Sequence, residues 1–373
     1  MRIALITRRF DPAGGGTERD LMVTAQYLRD AGYEVVIYAD EVRAETSSWT
    51  VHNVPNRVPG RALRIWRFAQ TAPAQARREG ADLVVSFART IGADVMRSGG
   101  GAHVSYVRAA ARWRGLITGG AMWLSTYHRA QMAVERSAFR SPLLKQTVAV
   151  SNLVRDDLVR EFALDPKRAI TIYNGVDPKR FQPAPDDDAR AAIRRRMGIT
   201  GPGPMVVFAG NGFARKGLEF LLRAWPTLDR DAWLVVAGED RAMLKFRHLS
   251  HRLGVGGRVI FAGRRRDLSE IFSAADVFAL PSLFEPFGNV VMEAMASGLP
   301  PLTSAAAGVS ELLPETMRHF VVNDPANPEE ISAKLGELIA RRAEFREPVR
   351  AAAERCTWDE YGRRFIELIE SLR

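Results

Sequence analysis

Glu285 and Glu293 bracket the segment with the most chemical content, Glu-Pro-Phe-Gly-Asn-Val-Val-Met-Glu. A strand ends at Pro281, Pro286 fixes the loop, and a helix starts near Gly288 and Asn289. The first amides of that helix, in the Phe287 to Val290 turn, are free to meet a phosphate or sugar oxygen. Glu285 before the helix and Glu293 within it cannot share one spot, so the pair would grip two polyols, one sugar at each end. The carboxyl end of a strand is where open α/β sheets bind ligands. Two solvated glutamates are the plain alternative.

A second constellation is Ala-Gly-Asn-Gly-Phe-Ala-Arg-Lys-Gly, residues 209–217, between a strand and the helical run 218–225. Arg215 and Lys216 at a helix start oppose the helix dipole, which prefers anions there. A diphosphate would compensate them, and the pair would stabilise charge on a departing nucleoside diphosphate; otherwise they are solvated cations at a loop tip. A third is the loop Pro12-Ala13-Gly14-Gly15-Gly16 before a helix at 21–28. Its glycines let backbone approach an anion at a helix N-terminus, or simply make a turn. Arg19 stands where a dinucleotide fingerprint needs its last glycine, which argues against hydride chemistry.

These loops require strands to present them. Short apolar runs at 2–7, 34–38, 82–87 and 146–150 alternate with helical patterns, the rhythm of parallel βαβ units. The rhythm restarts at 205–209, 233–237, 258–261, 277–280 and 319–322. The expectation is therefore an α/β protein of two doubly wound parallel sheets. One domain should span 1–168, with a final helix at 356–373 packing back on it through Tyr361, Phe365, Leu368 and Ile369, and the other 169–355. The length of 373 residues exceeds what one core usually fills.

The net charge of +10 is uneven: residues 1–168 hold 25 Lys+Arg against 16 Asp+Glu. Residues 57–145 alone hold 15 basic and 4 acidic residues interleaved with Trp66, Phe68, Tyr106, Trp113, Trp123 and Tyr127. That mixture suits an anionic membrane surface; it also suits nucleic acid, for which no recognised module is present, and packing of the aromatics in a core. The single cysteine, Cys356, excludes an intrachain disulfide and points to a reduced, cytoplasmic setting. No run approaches the ~20 apolar residues of a membrane span, so membrane contact would be peripheral, at the inner face of the cytoplasmic membrane. Asp186 to Asp188 reads as a helix cap, and His248 with His251 lacks further ligands, so no metal is expected.

In these motifs the chain resembles the GT-B glycosyltransferases, specifically the large retaining family marked by two glutamates with seven residues between them, to which bacterial lipopolysaccharide core glucosyltransferases belong. The glycine loop, the Asn174-Gly175 segment, Arg215-Lys216-Gly217, Glu285-Pro286-Phe287-Gly288 and the final Trp358-bearing helix occur in family order. The resemblance implies two facing Rossmann-like domains with a cleft between them. It implies that Glu293 binds the donor ribose, Glu285 contacts the transferred sugar, and Arg215 and Lys216 neutralise the diphosphate. Amides of Gly15, Gly16, Phe287, Gly288, Asn289 and Val290 would hold phosphates and sugar from opposite sides of the cleft. His103 falls where many members have a sugar-contacting histidine, and Arg264 is a base-side donor contact. Asp20 would touch the acceptor, although an ordinary helix N-terminal acid explains it equally well.

The reaction so implied is front-face transfer of a hexose, glucose from UDP-glucose, to a lipopolysaccharide inner-core or related envelope glycolipid. The leaving diphosphate itself helps deprotonate the acceptor, so no enzyme nucleophile is needed. The nucleotide-sugar is a co-substrate rather than a cofactor, and a monomer is the default. Other readings are a nucleotide-sugar epimerase of the same architecture, a glycosyltransferase with a soluble acceptor, and a non-catalytic polyanion-binding protein.

Overall fold

The computed structural model describes residues 1–11, 14–43 and 48–373. It divides into two compact units: residues 1–111, 115–174 and 358–373 form the first, and residues 175–357, with Arg112–Arg114, form the second.

The first unit holds a parallel sheet of strands β1 (Arg2–Phe10), β2 (Glu34–Val42), β3 (Thr50–Asn53), β4 (Leu83–Ser86), β5 (Val95–Ser98), β6 (Gln146–Ala149) and β7 (Ala169–Thr171), in the order β3-β2-β1-β4-β5-β6-β7. Alternate residues of β1 serve opposite faces, as the pleat dictates. Ile3 and Leu5 join Tyr361, Phe365 and Ile369 of the last helix, Trp358–Ser371, in one buried cluster. Ala4 and Ile6 join Phe68, Ala72 and Ala76 of the helix Arg61–Arg78 in another. Both faces are dry, which explains why β1 reads as an unbroken apolar run.

The chain stays in this sheet longer than the boundary at 168 anticipates. Strand β7 pairs with β6, Thr147 opposite Ala169, and the Ile172 amide donates to the Ala149 carbonyl at 3.0 Å. The edge of the sheet thus extends to Asn174, and the crossing falls at Gly175.

The second unit repeats the plan with β8 (Met205–Ala209), β9 (Trp233–Ala237), β10 (Val259–Gly263), β11 (Val277–Leu280), β12 (Pro301–Ser304) and β13 (Val321–Val322), in the order β10-β9-β8-β11-β12-β13. The helix Asp187–Arg196 is capped by Asp186, whose carboxylate accepts the Ala189 amide at 2.7 Å. In both sheets the strand order reverses once, between β1 and β4 and between β8 and β11. A crevice opens at such a reversal beside the carboxyl ends, because the neighbouring crossover helices lie on opposite faces.

Candidate active site

The loops leaving the carboxyl ends of β8 and β11, with the helix Asn289–Ala296 that follows the second, carry every candidate residue of the second unit except Arg264. The loop after β8 is folded by three glycines at positive φ, Gly210 at 132°, Gly212 at 75° and Gly217 at 79°. A Cβ on Gly210 would stand 2.6 Å from Cε of Lys216, so the lysine stem lies across bare backbone. A Cβ on Gly217 would meet the Pro281 carbonyl oxygen at 1.9 Å, so only glycine lets the two loops touch. The contact is secured by the Leu283 amide, which donates to the Arg215 carbonyl at 2.8 Å, while the Phe213 amide ties the β8 loop to the loop after β9 by donating to Asp240 Oδ2 at 2.8 Å.

Glu285 is aimed by its own backbone. Its amide donates to the Ala306 carbonyl at 2.9 Å, and its carbonyl accepts the Gly308 amide at 3.0 Å. Its Oε2 accepts from Lys216 Nζ at 2.7 Å and from Arg215 Nη1 at 3.2 Å, and Arg215 Nη1 also donates to the Phe284 carbonyl. Burial alone would push the Glu285 carboxyl up, but Lys216 and then Arg215 hold it below the ordinary carboxylate range. The carboxylate is therefore ionised at neutral pH and already engaged, a weak nucleophile and a weak base. Two cations face one anion, leaving a net positive charge in a half-buried place suited to phosphate.

The helix Asn289–Ala296 begins beside this cluster, with Gly288 as N-cap at φ 112° and its would-be Cβ 3.5 Å from Glu285 Cγ. Phe287 is buried and accepts the Val309 amide at 2.9 Å through its carbonyl, so only its backbone takes part in the site. Asn289 and Val290 are half-buried in the first turn, and Glu293 is buried in the second. Glu285, Arg215, Lys216 and the helix start are thus brought together. Arg264 is not: it is exposed just past β10, across β9 from β8.

In the first unit Gly15 is the N-cap and Gly16 the first residue of the helix Gly16–Asp30, with the Arg19 amide donating to the Gly15 carbonyl at 3.0 Å. Pro12 and Ala13 of that loop lie outside the described residues. The acceptor contact expected of Asp20 is corrected. Asp20 is 4% exposed; its Oδ2 accepts from Arg97 Nη2 at 2.8 Å and from Asn174 Nδ2 at 3.3 Å. Arg97, on β5, is itself buried, so Asp20 serves to neutralise an interior guanidinium.

His103 starts the helix His103–Ala109, and its amide donates to Glu135 Oε2 at 2.8 Å. Its Nε2 shares a 2.8 Å hydrogen bond with His128 Nδ1, and the two rings stack. Burial, then the charges of Arg89 and His128, push its pKa down to about 3, so the ring is neutral at working pH. A folded-state value below the ordinary 6.5 means that the unfolded chain binds the proton first. Stability from this group is full above 6.5 and is lost as pH falls toward 3. His103→Gln should therefore flatten the acid limb of the stability profile, as followed by urea unfolding between pH 7 and 4. An unchanged limb would contradict the neutral assignment. His128 and Glu135 escaped the sequence reading; no motif marks them, and only the fold brings them to His103.

A strand-order reversal, a paired cation cluster and a helix start at one point make a candidate anion site on Rossmann-like units of the GT-B kind. Residues 189–355 match the model of the Glycosyl transferases group 1, and residues 14–180 match that of Glycosyltransferase Family 4. The chain belongs to this family of glycosyltransferases. It is 26% identical over 98% of its length to the lipopolysaccharide glucosyltransferase WaaG of Escherichia coli K12, covering 94% of that protein. It is 30% identical to the alpha-maltose-1-phosphate synthase of Mycolicibacterium smegmatis, over 69% of this chain and 68% of that one. Among solved structures it is similar to WaaG, a glycosyltransferase involved in lipopolysaccharide biosynthesis (TM-score 0.82, 24% identity, 98% and 99% coverage). It is also similar to Anabaena HepE in complex with UDP-glucose (TM-score 0.76, 18% identity, both chains fully covered).

Proposed function

We propose that the protein transfers glucose from UDP-glucose to a lipopolysaccharide inner-core or related envelope glycolipid, retaining the anomeric configuration and using no metal. The observation that carries the reading is the Arg215–Glu285–Lys216 cluster beside the start of the helix Asn289–Ala296. The two cations take the leaving diphosphate, and the helix amides take phosphate or sugar oxygens. Glu285, held by both cations, is badly placed to form a covalent intermediate, which favours departure and attack on the same face. The glucosyl donor and the acceptor class are supported by what the E. coli relative is named for and by the ligand of HepE. Among the described residues no group of three or more His, Cys, Asp or Glu could hold a metal ion, and cationic side chains offer the charge that a metal would supply. Undiminished turnover in EDTA is the corresponding expectation.

A panel of UDP-, GDP- and ADP-glucose tests the donor. A ligand at about 100 times its Kd stabilises the folded state by about 2.7 kcal/mol, so UDP should raise the Tm and Glu293→Ala should remove most of the rise. Equal shifts from all three nucleotides, or none, would sink the assignment. Conversion of UDP-glucose to another UDP-sugar without acceptor would identify an epimerase instead.

The acceptor reading carries a membrane expectation. Among the described residues no helix is long and apolar enough to cross a bilayer. Leu116, Ile117 and Leu124 are nevertheless 84%, 90% and 80% exposed, with Trp123 at 42%, in the basic stretch of the first unit. Apolar side chains standing in water among arginines suit insertion at an anionic interface, where each near-surface cation adds about 1 kcal/mol. Vesicles containing an anionic lipid should sediment the protein at low salt while neutral vesicles do not. Ile117→Asp with Leu124→Asp should abolish the binding, and equal recovery with both vesicle types would overturn the idea.

A further inference from the structure

The strand-order reversal of the first sheet has its own cavity, of about 710 Å³, at the carboxyl ends of β1 and β4. It is lined by first-unit residues, among them five arginines and only two glutamates. Three of the arginines are already neutralised. Arg8 lies 2.9 Å from Asp40, Arg9 donates through Nε to Glu18 at 3.0 Å, and Arg89 is paired with the buried Glu135. Glu41 is engaged as well, 3.1 Å from Arg43.

Arg61 and Arg64 are left, and neither forms an ion pair among the described residues. Both occupy the first turn of the helix Arg61–Arg78, which has no acid there and no side-chain cap from Gly60. Cations at that end of a helix are repelled by its dipole, so the pair costs the fold stability unless an anion sits on it. Among the uncharged lining residues are Thr7, Thr17, Gln131 and the half-exposed ring of Tyr127, beside the apolar Ile65 and Phe87. Hydroxyls, an amide and an aromatic ring are the groups that hold a saccharide, giving and accepting hydrogen bonds to its hydroxyls.

Resting on the glycosyltransferase reading above, we infer that this cavity is an acceptor subsite for a saccharide bearing a negatively charged substituent, phosphate or carboxylate, seated on Arg61 and Arg64. Guanidinium forks suit either group, because both present paired oxygens.

The test is titration of the full-length protein, by ligand-observed NMR, with a hexose 6-phosphate, a hexuronate, the uncharged hexose and inorganic phosphate, at fixed low salt. At least one charged sugar should bind about tenfold or more tighter than the uncharged hexose and than inorganic phosphate, and Arg61→Ala with Arg64→Ala should erase that advantage. The hexose phosphate and hexuronate arms tell which anion is preferred. The unliganded double variant should keep or gain Tm, since a repulsive contact is removed, whereas a purely structural role predicts a loss. Equal binding of charged and uncharged sugars, or an advantage that survives the double variant, overturns the inference. Inorganic phosphate binding as tightly as the sugar phosphate also overturns it. UDP binding measured in the same samples separates this failure from failure of the donor reading: UDP bound without sugar discrimination rejects the subsite alone.

Discussion

Lys216→Ala is expected to lower kcat by about two to three orders of magnitude, the cost of removing one preorganised charge from a reacting anion. The ammonium is fixed from three directions. Its stem crosses Gly210, its residue is 7% exposed, and its Nζ reaches Glu285 at 2.7 Å. A cation held this way undergoes little rearrangement when the diphosphate departs, which is why the loss should fall on kcat more than on KM. An exposed ion pair such as Arg223–Glu219 on a helix surface is worth only about 0.3–0.5 kcal/mol, so ordinary charge loss cannot mimic the effect. Lys216→Arg should rescue poorly, since a planar fork does not fit over Gly210. Gly210→Ala, which keeps the lysine but displaces its stem, should impair turnover as well. Steady-state kinetics with UDP-glucose check all three, and a Lys216→Ala enzyme within about fivefold of wild type would remove the lysine from the chemistry.

Arg97→Ala should be the most damaging single substitution for stability, at about 3–5 kcal/mol, the range for breaking a buried charge pair from one side. Arg97 donates to Asp20 Oδ2 at 2.8 Å and also to Asn174, all three residues being buried. Without the guanidinium, Asp20 is an unneutralised carboxylate in an apolar interior. Arg363→Ala is the contrast. It pairs with Glu360 and Glu367 but is 58% exposed as a side chain, and almost no change in stability is expected. Urea unfolding of both variants gives the comparison, and similar costs for the two would show that the interior pair is not structural.

The legible parts of the molecule were those where one local cause dominates. Strands β8, β9 and β11 stood out because dry parallel strands are continuous apolar runs, and the Glu285 loop because proline and glycine punctuate it. Strand β12 was hidden by Pro300 and Pro301, which read as breakers. Pro301 sits at the first position of the strand, where its missing N–H is tolerated. Strand β5 was hidden by Arg97, whose charge argues for the surface until its partners from the helix Gly16–Asp30 and from Asn174 are known. Strand β3 is a polar edge, Thr-Val-His-Asn, with no apolar alternation to find. Asp20 misled for the converse reason. Its position near a helix start suits a ligand contact, while its interior partner lies 77 residues away in sequence. The boundary slipped because β7 is three residues long and declares its sheet only by pairing.

The helix Trp358–Ser371 is made after every element of the second unit, yet Tyr361, Phe365 and Ile369 fill the same core as Ile3 and Leu5 of β1. The second unit, continuous from Gly175 to Thr357 apart from Arg112–Arg114, is in effect inserted into the first. A chain emerging from the ribosome therefore cannot finish its N-terminal half first, which inverts the usual order for multidomain proteins. The inserted unit has all of its residues in hand before the helix Trp358–Ser371 exists. Until that helix appears, the face of the first sheet that carries Ile3 and Leu5 waits partly uncovered, a window in which a nascent-chain chaperone or a neighbouring chain would find apolar surface.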